Sequence, residues 1–327
     1  MTFKIGLTRD LLDPNGVPSF GESPLAVLNE VPDIEWEYLT ENYTEITPDI
    51  AAAYDGLYVN SPQVTANSVA REDCRVKIVA RHGVGYDSVD VAALAKKGIT
   101  VTNTPYAIRR PVAVAAITMI TALAGKLLIK DRLTRNNAWN ERTAHMGIGL
   151  KGRTLCIIGG GGIGQELLRM VAAFEFNLLV VDPYQDATVM RSLGAKPVSL
   201  DDGLQQADFV VLCCLLNNET HHLINGDALA KMKPNAYLIN MARGPVVDES
   251  ALIEALQNNR IAGAGLDVFE QEPTAIDNAL LTMDQVILTP HSLCWTDHCF
   301  EDIAIEGLGC LADFANGKTP GSVVSAM

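Results

Sequence analysis

Short apolar runs alternate with segments of helical periodicity along most of the chain. Five apolar runs in the first third predict buried strands: Phe3–Leu7, Ile34–Leu39, Gly56–Val59, Val76–Ala80 and Thr100–Asn103. Segments with helical spacing lie between them: Pro24–Val31, Ala66–Cys74 and Ser88–Lys97. Because strands alternate with helices, this part of the chain is predicted to form a parallel sheet covered on both faces.

A second alternation of the same kind begins after Lys151. Six runs predict its strands: Thr154–Ile158, Leu178–Val181, Phe209–Leu212, Tyr237–Asn240, Gly263–Leu266 and Val286–Leu288. Helices such as Ile163–Phe174 and Glu249–Asn258 separate these strands. A chain of 327 residues has room for about two domains. The pattern therefore predicts an α/β fold with two doubly wound, Rossmann-like domains.

The longest apolar stretch, Val112 to Ile129, raises the alternative of a membrane span. It contains Gly125 and Lys126, is barely long enough to cross a bilayer, and begins at Pro111 as a buried helix does. We therefore interpret it as a core or subunit-interface helix and expect no membrane partner.

Composition and charge narrow the function classes. Apolar residues make up 48% of the chain and charged residues 20%, as in soluble globular proteins. The formal net charge of −14 repels a phosphate backbone, so no nucleic-acid partner is expected. The first ten residues lack a basic region followed by an apolar core, and the seven cysteines are an odd number. Both features favour a cytoplasmic protein with free thiols.

The cysteines raise two smaller questions. Cys213 and Cys214 stand in an apolar run and are predicted to fill the core. A second group could hold zinc: His291, Cys294, His298 and Cys299. Structural zinc sites usually pair closely spaced ligands from two segments, so we expect no metal.

A glycine-rich turn follows the strand that begins at Thr154. The turn is Gly159-Gly160-Gly161-Gly162-Ile163-Gly164. Gly159 permits a tight turn, Gly161 lets the backbone approach a pyrophosphate, and Gly164 lets the next helix pack against the strand. Gly162 and Ile163, where the predicted helix Ile163–Phe174 begins, then offer N–H groups to the phosphates. These residues predict a dinucleotide site.

Asp182 decides which dinucleotide is expected. It ends the next predicted strand, 18 residues after Gly164. A carboxylate there accepts the ribose hydroxyls of NAD and repels the additional phosphate of NADP. NAD is therefore predicted as the cofactor and NADP is disfavoured, the alternative for Asp182 being a turn residue before Pro183.

Three polar residues downstream of the turn are the candidate catalytic set. Arg243, Glu272 and His291 lie 29 and then 19 residues apart. An arginine can bind an acid, and a histidine beside a carboxylate can move a proton while a hydride moves to or from the dinucleotide. Each could be a solvated loop residue by itself. Their order after the turn points to an NAD-dependent 2-hydroxyacid dehydrogenase.

Five segments carry a family resemblance: Ala80–Asp90, Thr102–Pro105, Ala242–Leu256, Ala262–Pro273 and Leu288–His291. They closely resemble the D-isomer-specific 2-hydroxyacid dehydrogenases, which include phosphoglycerate dehydrogenase, glyoxylate/hydroxypyruvate reductase and D-lactate dehydrogenase. The likeness extends from about Val76 to Trp295. It implies that Arg243 binds the substrate carboxylate and carbonyl. It also implies that His291 exchanges a proton with the carbonyl oxygen, that Glu272 orients His291, and that the product has the D configuration.

The resemblance implies further site residues. Backbone N–H groups around Val84 and Gly85 would hold the substrate carboxylate. Met241 would contact the cofactor, and Asp267 would meet the nicotinamide carboxamide. His82, beside the substrate loop, could touch substrate or simply pack, and packing is favoured.

Some residues depart from the family pattern, and the role of three arginines is undecided from the sequence. The family commonly has histidine or asparagine and then proline where this chain has Cys213 and Leu215, so the adenine edge of the pocket is expected to differ. Arg81, Arg109 and Arg110 could supply a second contact for an anion, the ordinary alternative being solvation.

The domain plan also follows from the resemblance. It assigns residues 1–101 and 296–327 to a substrate domain and residues 102–295 to an NAD-binding domain, with the active site in the cleft between them. The helix from Pro111 would help to form a homodimer.

Three functions remain as hypotheses. The favoured one is a reductase of a small 2-keto acid such as glyoxylate or hydroxypyruvate, equivalently a dehydrogenase of the D-2-hydroxy acid. A D-3-phosphoglycerate dehydrogenase is disfavoured because no regulatory extension follows Met327 and no additional basic cluster awaits a phosphate. An NAD-sensing corepressor-type binding protein is disfavoured because the chain keeps Arg243, Glu272 and His291.

Overall fold

The computed structural model describes residues 2–324, which divide into two units. Unit 1 contains the described residues up to Ile108 and those from Trp295 onward, and unit 2 is Arg109–Cys294. The first boundary lies at residue 108 where the sequence suggested 101. The turn after the fifth strand stays with unit 1 because Thr104 N–H donates to the Gly83 carbonyl at 3.0 Å.

Twelve strands are present in the described residues, in chain order: β1 Phe3–Leu7, β2 Ile34–Tyr38, β3 Gly56–Val59, β4 Ile78–Arg81, β5 Thr100–Thr102, β6 Thr154–Ile158, β7 Asn177–Val181, β8 Lys196–Pro197, β9 Phe209–Leu212, β10 Tyr237–Asn240, β11 Gly263–Leu266 and β12 Val286–Leu288.

Eleven α-helices are present in the same residues: α1 Ala26–Asn29, α2 Pro48–Ala53, α3 Val91–Lys96, α4 Arg109–Gly125, α5 Leu127–Arg135, α6 Gly162–Met170, α7 Ala187–Ser192, α8 Leu200–Gln206, α9 Gly226–Lys231, α10 Glu249–Gln257 and α11 Asp297–Ala315. Six short 3-10 helices supplement them: Arg9–Leu11, Ser23–Leu25, Trp139–His145, Val171–Phe174, Gly244–Val246 and Ala279–Thr282.

Unit 1 is built on a five-stranded parallel sheet with the order β2-β1-β3-β4-β5. The register places Phe3 opposite Ile34 and Ile5 opposite Gly56. One apolar cluster joins the sheet to α2 and α3, and a second joins it to α1 and α11. Helices therefore cover both faces, as the alternation of strands and helices predicted.

Unit 2 contains a seven-stranded parallel sheet with the order β12-β11-β10-β9-β6-β7-β8. The chain builds outward from β6 to one edge, then crosses back and builds from β9 to the other. One apolar cluster buries α8, α9 and α10 against the sheet. On β11, a methyl group at Gly265 would contact Met119 and Leu123 of α4, so α4 packs closely there. The prediction of two doubly wound α/β units with parallel sheets is confirmed.

The long apolar stretch forms two helices where the sequence suggested one. Helix α4 begins at Arg109, two residues before the predicted start at Pro111, and the chain breaks at Lys126, whose φ is 51°. Helix α5 then leaves at 58° to α4. No single helix among residues 2–324 is long and apolar enough to cross a bilayer, although α4 and α5 together meet the length and composition criteria as a bent pair.

The predicted helix Ala66–Cys74 is wrong, since this segment forms turns. The Thr65 hydroxyl accepts from Asn67 N–H at 3.1 Å, and the Ser68 hydroxyl accepts from Thr65 N–H at 2.9 Å. Such side-chain bonds satisfy backbone groups locally and compete with a helix. The two-residue strand β8 was also missed, because Lys196–Pro197 is too short to show an alternation.

Asp55, just before β3, is a buried carboxylate that fastens the centre of the unit 1 sheet. One carboxylate oxygen accepts from Lys4 N–H at 3.1 Å and from the Arg75 guanidinium at 2.6 Å. The other accepts from the Lys77 ammonium at 3.2 Å. Burial opposes ionisation, but these hydrogen bonds and charges outweigh it and hold the pKa of Asp55 below its usual value.

Replacing Asp55 by Asn is expected to lower the free energy of unfolding by about 1–3 kcal/mol at neutral pH, because hydrogen bonds to an ionised acceptor are lost. Since the folded pKa is depressed, the difference from wild type is complete above the ordinary pKa of 3.8 and shrinks as the pH falls further. Urea unfolding at several pH values measures this difference in the free energy of unfolding. Asp49→Asn, which removes an exposed partner of Arg71, is the control and costs about 1 kcal/mol or less. Equal losses in both variants would contradict the assignment.

Candidate active site

The candidate catalytic residues follow three neighbouring strands of unit 2. Arg243 comes three residues after β10, Glu272 follows β11, and His291 comes three residues after β12. These strands are adjacent and parallel in the sheet. Because carboxyl ends of parallel strands meet at one edge, the topology places the three residues together.

Glu272 and His291 form the closest pair of the set. Glu272 Oε2 lies 2.8 Å from His291 Nδ1, and Oε1 accepts from Phe269 N–H at 2.9 Å. Burial works against ionisation of Glu272, but the bonds from His291 and Phe269 and the charge of Arg243 together lower its pKa. An ionised Glu272 bound at Nδ1 fixes the imidazole ring, and Nε2 becomes the atom that can exchange a proton with a ligand.

Arg243 lies in a turn that is stabilised by the buried side-chain amide of Asn240. The Asn240 side chain, 1% exposed, accepts from Ala242 N–H at 3.0 Å and donates to the Arg243 carbonyl at 2.9 Å. Arg243 Nη1 donates to the Ala242 carbonyl at 2.8 Å. Asn240 was missed by sequence reasoning, although a polar residue at the end of an apolar strand is a recognisable signal.

Asp267 has a structural role that the sequence did not suggest. It is buried directly after β11, and its Oδ1 accepts from the Thr289 hydroxyl at 2.6 Å, Ser292 N–H at 3.0 Å and Leu293 N–H at 3.1 Å. His291 lies inside this loop with a left-handed φ of 53°. A non-glycine residue held there costs about 1–3 kcal/mol, so Asp267 stabilises the loop in a conformation it would otherwise leave.

The glycine turn connects β6 to α6. Gly159 has a φ of 101°, and a methyl group on it would come within 2.6 Å of Cys214 N and 2.7 Å of Cys213 C. At Gly164 a methyl group would overlap the Gly159 carbonyl oxygen. Both positions therefore require glycine. A methyl at Gly161 would meet no atom within 4 Å, so there is room beside the turn for a pyrophosphate.

Asp182 follows β7, the neighbour of β6, and joins the turn to the end of that strand. Its Oδ2 accepts from Gly160 N–H at 2.7 Å, and its Oδ1 accepts from Tyr184 N–H at 2.9 Å. The second bond is the turn role that the sequence left as an alternative. The first bond holds the carboxylate against the glycine turn.

The end of β9 lies next to the turn. Cys213 N–H donates to the Ile158 carbonyl at 2.8 Å, and Met241 N–H donates to the Leu212 carbonyl at 3.2 Å. Cys213 and Cys214 were predicted to fill the core; Cys214 packs against the apolar cluster of unit 2, and both residues are partly buried where the strand leaves the sheet. Burial of the Cys214 sulfur still raises its pKa to about 11.

Val84 and Gly85 belong to unit 1, in the loop after β4. The Asn103 side chain donates to the Val84 carbonyl at 2.7 Å, and Gly83 N–H donates to the Thr104 hydroxyl at 2.8 Å. A trans peptide directs its carbonyl and N–H groups to opposite sides. The bond from Asn103 therefore fixes the direction of the Gly85 N–H.

His82 packs in the interior of unit 1. It is 4% exposed, its Nδ1 lies 2.6 Å from the Tyr58 hydroxyl, and its ring contacts Phe20 and Phe300. Burial, assisted by the charge of Arg81, lowers the pKa of His82 to about 3. His82 is thus neutral at physiological pH, which favours the packing alternative.

Among the described residues, no group of three or more His, Cys, Asp or Glu side chains is arranged to hold a metal ion. All seven cysteines are free thiols.

Comparison with known proteins decides the family. The family described as "D-isomer specific 2-hydroxyacid dehydrogenase, NAD binding domain" matches residues 117–292, more than half of the chain. Glyoxylate reductase from Thermococcus onnurineus (strain NA1) is 36% identical over 311 residues, 93% of each chain. The chain belongs to the D-isomer-specific 2-hydroxyacid dehydrogenase family. It is an NAD-dependent oxidoreductase, as the resemblance of its segments predicted.

Two further members of the family show the range of similarity. A crystal structure of D-lactate dehydrogenase from Aquifex aeolicus, complexed with NAD and lactic acid, superposes with a TM-score of 0.86 at 27% identity and covers 99% of each chain. D-3-phosphoglycerate dehydrogenase from Methanocaldococcus jannaschii is 38% identical over 272 residues, which are 83% of this dehydrogenase but 51% of that protein.

The anchoring of the His291 loop can be tested in this dehydrogenase by Asp267→Ala. Loss of the shared acceptor is expected to speed hydrogen exchange at the Ser292 and Leu293 amides by about tenfold or more, because each bond to a carboxylate contributes about 1.5–3 kcal/mol. Mass spectrometry of the exchanging peptides measures the change. Asp277→Ala, an exposed carboxylate of the same unit, is the control. Unchanged exchange at 292 and 293 would show that Asp267 does not hold the loop.

Proposed function

We propose that this enzyme reduces a small 2-keto acid, such as glyoxylate or hydroxypyruvate, to the D-2-hydroxy acid and catalyses the reverse oxidation. The observation that carries the proposal is the Glu272–His291 pair at 2.8 Å, with Arg243 close enough for its charge to lower the pKa of Glu272. Glyoxylate reductase, the name of the relative from Thermococcus onnurineus, supports this substrate class.

In the proposed mechanism each residue has a separate task. The Arg243 guanidinium forms paired hydrogen bonds to the substrate carboxylate and carbonyl. When bound, NADH would supply a hydride to the carbonyl carbon. His291 Nε2 gives its proton to the carbonyl oxygen, which becomes the hydroxyl, and regains a proton from water. Glu272 remains ionised and stabilises the imidazolium before this transfer.

The cofactor would lie along the carboxyl ends of β6, β7 and β9. The N–H groups of Gly162, Ile163 and their neighbours would hold its phosphates. Asp182 would accept hydrogen bonds from the ribose hydroxyls, and this supports NAD over NADP. Met241 and Asp267 would lie near the nicotinamide, Asp267 through Oδ2, since Oδ1 holds the His291 loop.

Backbone contacts to the substrate are also proposed. The Val84–Gly85 backbone would donate to the substrate carboxylate, and the bond from Asn103 supports this by fixing the direction of the peptide. The substrate carboxylate and the cofactor phosphates are both negatively charged, and a protein of net charge −14 repels them. Local hydrogen-bond donors are therefore needed to bind them. The same charge supports the absence of nucleic-acid and membrane-surface partners.

A phosphoglycerate dehydrogenase remains the second candidate because of the relative from Methanocaldococcus jannaschii. An NAD-sensing binding protein would bind NADH without turnover. Both are distinguished from the first proposal by the substrate assay below.

The test of function is NADH consumption with glyoxylate, hydroxypyruvate, pyruvate, phenylpyruvate and phosphohydroxypyruvate. We expect turnover of glyoxylate or hydroxypyruvate, and faster turnover with NADH than with NADPH.

His291→Ala is expected to lower kcat by about 10²- to 10⁴-fold with NADH binding retained, since the proton donor alone is removed. His221→Ala, an exposed histidine of the same unit, is the control. A His291→Ala enzyme that keeps its rate would refute the mechanism, and preference for phosphohydroxypyruvate would favour the second candidate.

A cytoplasmic homodimer is proposed as the working form. Free thiols support the location. Large apolar side chains exposed on and after α4 support a second copy of the chain as their partner: Val114, Leu127, Leu128, Trp139 and Met146.

Light scattering after gel filtration is expected to give twice the 35.2 kDa of one chain. Replacing Leu127 and Leu128 by Ser is expected to shift the mass toward the monomer, because the exposed apolar surface would then be solvated favourably. A wild-type mass of one chain would contradict the dimer.

A further inference from the structure

Arg109, the first residue of α4, lies against the glycine turn. A methyl group at Gly162 would overlap Arg109 Nε and would lie 2.9 Å from its Cζ and 3.0 Å from its Cδ. Gly162 is not among the residues with positive φ. The Arg109 side chain therefore occupies the space where a side chain at position 162 would begin, and any residue other than glycine there would have to displace it.

The Arg109 guanidinium lies beside the amino terminus of a helix. Gly162 is the first residue of α6, whose amino terminus carries the partial positive charge of the helix dipole. A cation is disfavoured at this end of a helix, and an anion is favoured. A bound anion would lie between the two positive groups and be attracted by both.

The neighbouring arginine is engaged differently. Arg110 Nη1 forms a salt bridge of 3.0 Å with Glu166 of α6, and Arg169 lies 3.4 Å from the same carboxylate. Glu166 therefore holds these two side chains on the flank of the helix. Arg109 is the member of the Arg109–Arg110 pair that contacts the turn itself.

We propose that Arg109 binds the pyrophosphate of NAD, and that Gly162 is glycine so that Arg109 can reach it. The planar guanidinium would make paired hydrogen bonds to phosphate oxygens from α4 while backbone N–H groups of the turn donate from α6. The inference rests on the proposed NAD site at this turn and adds a side-chain cation to its backbone donors.

The first experiment measures NADH affinity by fluorescence titration for wild type, Arg109→Ala and Arg109→Gln. We expect the Kd for NADH to rise about 10- to 100-fold in both variants, as for the loss of a charge-assisted contact. Competition by ADP should weaken similarly, whereas competition by adenosine, which has no phosphate, should not change. Arg110→Ala is the matched control and should bind NADH as wild type does. Circular dichroism melting verifies that each variant is folded.

The second experiment tests the coupling of Arg109 and Gly162. Gly162→Ala should displace the flexible Arg109 side chain and weaken NADH binding by itself. Added to Arg109→Ala, it should cause little further loss, because the displaced group is already absent. Full additivity of the two changes would overturn the part assigned to Gly162.

Asp182→Ala separates this inference from the proposed function. If Asp182→Ala weakens NADH binding and Arg109→Ala does not, the NAD site stands and the role of Arg109 is refuted. If wild type binds no NADH, both the proposed site and the role of Arg109 are refuted. Equal loss of adenosine and ADP binding in Arg109→Ala would also overturn the inference, since it would indicate a distorted turn.

Discussion

The reversal of strand order between β6 and β9 determines where every polar group of the unit 2 site lies. Strands laid outward in two directions from this point leave the carboxyl ends of β6 and β9 side by side, without a connection covering them. The glycine turn occupies one end and the Cys213 segment the other. Asp182 lies one strand away on one side, and the loops of Arg243, Glu272 and His291 follow successive strands on the other. A molecule as long as a dinucleotide can therefore extend along one sheet edge from Asp182 toward His291.

Buried acceptors then hold the loops in place. Asp267 supplies one oxygen to three donors around His291, and Asn240 closes the turn before Arg243. Hydrogen bonds to a carboxylate contribute about 1.5–3 kcal/mol each, which is enough to offset about 1–3 kcal/mol of left-handed strain at His291. The imidazole of His291 is thus positioned by groups that need not touch a substrate.

The sequence predicted the strands well because apolar runs and sheet burial are directly related. Five of the six strands predicted after Lys151 have the observed bounds, and the sixth, at Leu178–Val181, begins one residue early in the structure. The sequence-based prediction of helices failed at two places. At Thr65 and Ser68, side-chain hydrogen bonds to the backbone compete with a helix. At Lys126, a residue with left-handed φ breaks a uniformly apolar stretch into two helices. The candidate residues were recognised by motif, but the functions of Asn240 and Asp267 as anchors depend on which donors the fold brings near, and no spacing encodes that.

The two thiols beside the glycine turn have a chemical consequence of their own. Burial raises the pKa of Cys214 to about 11, and it raises that of Cys213 as well. Only the thiolate reacts rapidly with electrophiles and peroxides, and at neutral pH a thiol of this pKa is ionised in about one molecule in ten thousand. Although they are partly exposed, these cysteines are therefore expected to react slowly with electrophiles and peroxides. Burial of the two sulfurs therefore slows their reaction with peroxides at neutral pH, because it keeps both groups in the thiol form.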